Sequence, residues 1–292
     1  MEALYVVNPV AGRGRALRAF KAVQEICKER YVFTDAPMHA TEIARLAAKE
    51  GIPLVVAVGG DGTVHEVANG LACTGTALGV IPAGKGNDFA RSLGIPFSPH
   101  RAVRLISSGC TRVIDLGMVD GRYFLNVSGV GFDAEVAQEV NSSERKIGGP
   151  LTYILGVLKM LSRYDPVPVE IALDGDVIRE RILVVAIGNT PYYAAGMKMV
   201  PHARPDDGEF GICVAGNLTK AETLAMLPLV YSGRHISHNK VSTYKAARVE
   251  IRSETALAIQ ADGEIVGHLP AVFTVAAGCL RVIAPKGDPG VS

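Results

Sequence analysis

Apolar residues follow two different spacings over roughly the first 120 positions of the chain. Short runs rich in Val, Leu and Ala, such as 54–58 and 77–81, are typical of buried β-strands. Between such runs, segments such as 16–30 place apolar side chains every three or four residues, which is typical of helices. Strands that alternate with helices predict a parallel sheet with helices on its faces.

The hydrophobic pattern changes near residue 115. Two apolar runs flank Asp120-Gly121, a dipeptide that favours the tight turn of a β-hairpin. Further runs predict strands at 169–173, 177–186, 210–215, 249–251, 257–262, 271–276 and 280–284. Helices are expected near 150–163 and 219–232. The second half is therefore predicted to be mostly antiparallel β.

Together these patterns predict an α/β protein of two domains, which a length of 292 residues allows. The N-terminal domain, 1–121, is expected to be an α/β nucleotide-binding domain with a mainly parallel sheet. The closing segment, 280–292, is expected to rejoin it. Residues 122–279 are expected to form a β-rich, antiparallel and sandwich-like domain.

Composition excludes some functions. The formal net charge is +1, which argues against a nucleic-acid-binding protein. The five cysteines are scattered, and no pair has the spacing of a metal site or a CxxC motif. Without a disulfide framework, a reducing cytoplasm is the expected location.

Membrane contact is expected to be peripheral at most. The N-terminus lacks the basic stretch of a signal peptide. The most lipid-like segment, 151–161, is too short to span a bilayer and contains Lys159. A partly buried amphipathic helix is the favoured interpretation, and a membrane-contacting helix is the alternative. A basic run of Arg234, His235, His238, Lys240 and Lys245 is interpreted as a solvated face, with attraction to an anionic membrane left open.

Three glycine-containing turns, 8–12, 59–63 and 82–88, follow predicted strands of the first domain. The carboxyl ends of parallel strands meet at one edge of a sheet, so the three turns are expected to converge there. Glycine lets the backbone approach a ligand closely, and free N–H groups at a helix start favour phosphate. Asp61 in the second turn fits a cation lying between it and a phosphate. The sequence therefore predicts a nucleotide site, although it has neither a Walker A nor a GxGxxG motif.

Two acidic segments of the second domain, 201–209 and 261–264, also stand out. Taken alone, each is interpreted as a surface turn, because Asp-Gly is a common turn sequence. The glycine-rich segment 129–133 is interpreted as a site of tight packing.

In their order along the chain, these motifs resemble the diacylglycerol kinase catalytic-domain family of lipid kinases. The soluble bacterial members are the most similar, and sphingosine and ceramide kinases are more distant. The matching positions are Asn8, Pro9, Gly12, 59–63, Glu66, Asn69, 79–82, Gly84, 87–91, 124–126, 131–133, 188–189, 196–197, Pro201, Ala203, 207–208 and 262–264. NAD kinases and phosphofructokinases share the glycine motif in similar form, so the ordered series carries the resemblance.

The resemblance implies ATP bound in a cleft between the domains and phosphoryl transfer to a lipid hydroxyl. It implies a nucleotide lined by Asn8, Pro9, Val10, Ala11, Gly12, Thr34, Gly59, Gly60, Asp61, Gly62, Thr63, Val64 and His65. Asp61 would act on the phosphates through Mg²⁺ and water. The carboxylate of Asp207, with the backbone carbonyls of Arg204 and Glu209, would hold a structural Mg²⁺.

The resemblance also implies a proton acceptor for the lipid hydroxyl. Glu264 matches this residue in the bacterial members, whereas the sphingosine-kinase relatives favour the Asp of the glycine motif. Either Glu264 or Asp61 could therefore be the base, and Glu264 is preferred. Closure between the domains would bring the two carboxylates to one site.

One position departs from the family pattern. The third turn usually has a Thr near the nucleotide where this chain has Lys85. A lysine could contact a phosphate or obstruct the pocket. The hypothesis is retained kinase activity with an altered affinity for ATP.

The leading prediction is a cytoplasmic, ATP-dependent diacylglycerol kinase that acts on lipid during transient contact with a membrane surface. One alternative is a kinase for another acceptor, such as a sphingoid base, another lipid or NAD. The other is a catalytically silent regulator that binds lipid or nucleotide, which only Lys85 favours. A homodimer is an expectation from the resemblance alone.

Overall fold

The computed structural model describes residues 2–26, 30–142 and 157–286. Contacts divide the chain into two compact units. The first consists of Met1–Leu116 with Ala277–Ser292, and the second of Gly117–Ala276.

The first unit is a parallel sheet with helices. Its strands are β1 Ala3–Val7, β2 Arg30–Phe33, β3 Leu54–Gly59 and β4 Ala77–Pro82, in the order β2-β1-β3-β4. The last strand of the chain, β16 (Ala271–Ile283), pairs in parallel with β4 through Arg281 and Val282. The helices are α1 Ala11–Val23, α2 His39–Lys49, α3 Asp61–Leu71, α4 Asp88–Ser92 and α5 Pro99–Ser108.

Helices bury the apolar strands of this sheet, which is why β3 is buried at every residue. Phe20 of α1 and Val103 of α5 belong to one core cluster with β1, β3 and β4. Helices α2 and α3 approach closely at Gly70, where a Cβ would lie 2.5 Å from the carbonyl oxygen of Thr41. The glycine therefore sets how closely these two helices can pack.

The second unit is antiparallel. After β5 Thr111–Val119, its strands are β6 Arg122–Phe124, β7 Val127–Gly131, β8 Val167–Leu173, β9 Asp176–Ile182, β10 Val184–Gly188, β11 Phe210–Ala215, β12 Val241–Ala246, β13 Arg248–Arg252, β14 Ala258–Ala261 and β15 Glu264–His268. One sheet has the order β12-β11-β10-β7-β14-β15. Strands β9, β8 and β13 lie side by side, and β13 pairs with the first residues of β16.

A shared apolar core joins the strand groups of the second unit as a sandwich. Phe124, Ile171, Ile187, Phe210 and Phe273 from both groups are fully buried in it. The helices of this unit are α6 Phe132–Ser142, α7 Lys220–Ser232 and a 3-10 helix at Arg234–Ser237, and residues 157–161 are also helical. The predicted fold class is confirmed: two domains, a mostly parallel α/β sheet and an antiparallel sandwich-like region.

Four predicted elements are wrong in their extent. The helix expected over 16–30 ends at Val23, because residues from Arg30 pair with β1 instead. The strand expected over 177–186 is two strands, which are separated at Leu183. The N–H of Leu183 donates to the carbonyl of Ala215, and its carbonyl accepts from the N–H of Phe132. The strands expected at 271–276 and 280–284 are one continuous strand, β16. Helix α2 was not predicted.

The segment 151–161, expected to be a partly buried amphipathic helix with membrane contact as the alternative, lies largely outside the described residues. Within the described ranges, no helix is long and apolar enough to cross a membrane.

A disulfide links two segments of the first unit that are far apart in the sequence. Cys73, just after α3, is bonded to Cys279 on β16, and their Cα atoms are 4.4 Å apart. The expectation of no disulfide is wrong because 206 residues separate the two cysteines, and only the return of β16 brings them together. The argument for a reducing compartment that rested on unpaired cysteines therefore fails. Cys110 and Cys213 are free, and Cys27 lies outside the described residues.

We expect reduction of this disulfide to destabilise the protein. In the chain-entropy picture, a cross-link closing a loop of 206 residues contributes roughly 5 kcal/mol to the free energy of unfolding. Urea unfolding with and without reductant measures the loss, and Cys279→Ser should reproduce it. The matched control, Cys110→Ser, should unfold like the wild type. Equal midpoints with and without reductant would contradict the prediction.

Candidate active site

The order of the parallel strands marks one edge of the sheet. Strand β1 leads through α1 to β2 on one side, and β3 leads through α3 to β4 on the other, so the direction of the connections reverses between β1 and β3. Ligands of open parallel sheets bind at this reversal, beyond the carboxyl ends of the strands. Asn8 follows β1 and Gly60 follows β3, so the first two glycine turns begin at this point.

Asn8 connects the first turn to the second. Its backbone N–H donates to the carbonyl of Val58 at 3.1 Å, and its side-chain Nδ2 donates to Thr63 Oγ1 at 3.1 Å. Its Oδ1 accepts from the N–H groups of Val10 and Ala11, each at 3.2 Å. One amide side chain therefore fixes the start of α1 and the start of α3 together.

The third turn touches both of the others through the backbone. A Cβ at Gly12 would lie 2.2 Å from the carbonyl oxygen of Ala83, and φ of Gly12 is 60°. A Cβ at Gly84 would lie 2.7 Å from the Cα of Gly60. Any side chain at these positions would force the turns apart. The structure thus brings the three predicted turns together at one edge.

Asp61 holds the third turn in place. Its Oδ2 accepts from the N–H of Asn87 and its Oδ1 from the N–H of Asp88, both at 2.7 Å. Asn87 has a left-handed backbone, with φ at 52°, and its Oδ1 accepts from the N–H of Gly84 at 2.8 Å. The half-buried carboxylate of Asp61 therefore positions the backbone of the third turn.

The other predicted nucleotide residues differ in exposure. Thr34 is buried and follows β2 beside β1, and its N–H donates to the carbonyl of Val7 at 2.9 Å. Val64 is buried in the core and His65 is half-buried. Lys85 is exposed, and none of the described residues forms an ion pair or hydrogen bond with its side chain.

In the second unit, Asp262 and Gly263 form the tight turn between β14 and β15, with φ at 49° and 90°. The Asp-Gly sequence of this segment therefore does form a turn, as expected. The carboxylate of Asp262 accepts from the N–H groups of Leu125 and Asn126, at 2.7 and 2.9 Å. Glu264 follows as the exposed first residue of β15. Asp262 is thus a structural residue that presents Glu264.

In the other acidic segment, 201–209, basic side chains pair with the carboxylates. Lys245 Nζ lies 2.6 Å from Asp207 Oδ2 and 3.5 Å from Glu209 Oε2, and Arg204 Nε lies 3.7 Å from Asp206 Oδ1. The hydrogen bond that Lys245 donates to Asp207 raises the pKa of the lysine. Within the described residues, no group of three or more His, Cys, Asp or Glu side chains could hold a metal ion. The Mg²⁺ site implied by the resemblance stays a prediction.

A buried polar cluster lies at the start of α6. Asp133 accepts a hydrogen bond from Gln260 Nε2 at 2.8 Å and another from the hydroxyl of Tyr193. A Cβ at Gly129 would lie 2.0 Å from Asp133 Oδ2, which confirms that this glycine serves tight packing. No sequence motif connected Tyr193 or Gln260 to Asp133, since each lies at least 60 residues away.

An apolar cavity of about 70 Å³ adjoins Asp133. Its walls include Phe132, Met197, Met226 and Leu227. His235 also lines it and is buried, so its interpretation as part of a solvated basic face is wrong.

Burial also disfavours charge on two polar groups of the cavity wall. It lowers the pKa of His235, although hydrogen bonds to Met199 and Leu229 oppose this shift. Burial raises the pKa of the Cys213 thiol to about 12. Both groups are therefore expected to be uncharged near neutral pH, which suits an apolar ligand.

Comparison with known proteins gives consistent similarities. The family described as the diacylglycerol kinase catalytic domain matches residues 2–119, and the YegS C-terminal NAD kinase beta sandwich-like domain matches 126–284. The diacylglycerol kinase of Staphylococcus carnosus is 36% identical, over 85% of this chain and 81% of its own. The diacylglycerol kinase of Bacillus subtilis is 35% identical, over 85% and 82%.

Solved structures share the fold. A diacylglycerol kinase structure from Bacillus anthracis, 24% identical, has a TM-score of 0.74 and covers 98% of both chains. A second structure from the same organism, 26% identical, has a TM-score of 0.79 and covers 98% of this chain and 97% of its own.

Asp61→Asn is expected to lower the free energy of unfolding by about 1–3 kcal/mol, because an amide cannot accept with both of its heavy atoms. One backbone N–H of the third turn would then face an NH₂ group. Urea unfolding measures the loss. The control, Lys85→Thr, changes an exposed residue of the same turn and should leave the unfolding curve in place. If Asp61→Asn unfolds like the wild type, the carboxylate does not hold this turn.

Proposed function

Because the chain belongs to the diacylglycerol kinase family, we propose that it transfers the γ-phosphate of ATP to a lipid hydroxyl, with diacylglycerol as the leading acceptor and phosphatidic acid as the product. The observation that carries this proposal is the contact among three glycine turns at the reversal of a parallel sheet. Membership of the family makes the chain a kinase. The nucleotide and the acceptor are the parts that experiment must test.

The nucleotide would bind along the turns 8–12 and 59–65, beside Thr34. The close backbone contacts at Gly12 and Gly84 support this placement, because they hold three glycine turns together at the edge of the sheet where phosphates bind. A divalent cation bound with ATP would neutralise phosphate charge during transfer. Lys85, exposed on the third turn, is the candidate for a further phosphate contact. An unchanged affinity of Lys85→Thr for ATP would remove it from the site.

Glu264 is the better candidate for the proton acceptor. Both carboxylate oxygens of Asp61 already accept the backbone hydrogen bonds that hold the third turn, so protonation of this carboxylate would weaken them. Glu264 is exposed, and none of the described residues donates a hydrogen bond to its side chain. A free carboxylate can take the proton of the acceptor hydroxyl directly. Asp61 would then act chiefly by positioning the third turn.

The cavity beside Asp133 supports a lipid acceptor. Its lining is mostly apolar, and the neutral states of His235 and Cys213 add no charge to the wall. Burial of methylene groups would contribute about 0.8 kcal/mol each. The cavity would take part of an acyl chain and would have to widen for a whole one.

Replacing the proposed base should separate catalysis from folding. Glu264→Gln is expected to lose at least a hundredfold in ATP-dependent phosphorylation of diacylglycerol in mixed micelles, because an amide cannot accept the proton. Its unfolding curve should match the wild type, since the side chain is exposed. Glu254→Gln, another exposed acid of the second unit, is the control. Full activity of Glu264→Gln would exclude it as the base.

Filling the cavity should affect long acyl chains most. Met226→Trp is expected to raise the KM for long-chain diacylglycerol several-fold more than that for a short-chain analogue. Leu224→Trp places the same side chain on the exposed part of α7 and should leave both values unchanged. Equal effects on the two substrates in a folded Met226→Trp variant would exclude the cavity as an acyl site.

A further inference from the structure

We propose that the ammonium group of Lys245 takes the place of a structural metal ion in the acidic turn 204–209. Lys245 Nζ contacts Asp207 Oδ2 at 2.6 Å and Glu209 Oε2 at 3.5 Å. These are the same turn and the same carboxylate that the family resemblance assigns to Mg²⁺. The protein therefore supplies its own cation at this position.

The pairing of β12 with β11 places Lys245 beside the acidic turn. Lys245 lies on β12 opposite Gly211 of β11, and the acidic turn leads directly into β11. Facing residues of an antiparallel pair point to the same side of the sheet. Because the facing residue is a glycine, no opposing side chain separates Lys245 from the turn. The register thus fixes the ammonium group beside Asp207.

The carboxylates of the turn have little left to offer a metal ion. The other carboxylate oxygen of Asp207 accepts from the N–H of Glu209 at 3.4 Å, and Asp206 pairs with Arg204. Mg²⁺ requires near-octahedral coordination by oxygen at short distances. To bind Asp207, it would have to displace the ammonium group and then lie beside the displaced positive charge. The residues as arranged fit a lysine and do not fit a metal ion.

The consequence concerns stability and is separate from catalysis. Mg²⁺ bound with ATP can still be essential for activity, so activity cannot test the proposal. Thermal unfolding without nucleotide can test the proposal, because the unfolding temperature depends only on the stability of the folded protein and its bound ions. The protein is compared in EDTA and in millimolar MgCl₂.

Wild-type protein should unfold at the same temperature in both solutions. Lys245→Met should unfold about 2–4 °C lower in EDTA and regain most of that loss in MgCl₂. The recovery should disappear in Lys245→Met combined with Asp207→Asn. Lys240→Met, which removes the lysine paired with Glu222, is the matched control and should gain nothing from Mg²⁺.

Two results would overturn the proposal. The first is a wild-type protein that EDTA destabilises and Mg²⁺ restores, if Asp207→Asn abolishes that response. The second is a Lys245→Met variant whose unfolding temperature does not fall in EDTA or does not recover in MgCl₂. Neither result bears on the proposed kinase activity, which is measured with ATP and lipid.

Discussion

The candidate active site depends on backbone contact among three turns that only glycine permits. Gly12 meets the carbonyl of Ala83, and Gly84 meets Gly60, at distances that a Cβ would violate. This contact brings the carboxyl ends of three parallel strands into one surface. Asp61 then fixes the third turn through two charge-assisted hydrogen bonds. A surface of this kind suits a phosphate-bearing ligand.

Much of this arrangement is readable from sequence, because strand and turn signals are local. The valine-rich run of β3, the glycines after it and the Asp262-Gly263 turn each follow from neighbouring residues. Glu66 shows the limit of such reasoning. It belongs to the family pattern, yet its carboxylate accepts the N–H of Ala40 and so holds the start of α2, a helix that was not predicted.

What sequence could not predict are pairings between distant residues. The disulfide links Cys73 to Cys279, and the buried cluster links Asp133 to Gln260. In the sequence, Lys245 is one member of a basic run, and only the register of the strands shows that it contacts Asp207. In each case the partner is chosen by the topology of the fold, and no local pattern contains that information.

The proposed kinase activity depends on the binding of ATP by the three glycine turns. Amide hydrogen exchange with and without ATP and Mg²⁺ tests it most directly, because it reads each turn separately in the unmodified protein. Bound nucleotide should slow amide exchange in 8–14, 59–65 and 83–88, with little change in the acidic turn 204–209. Nucleotide binding that leaves exchange in all three turns unchanged would contradict it.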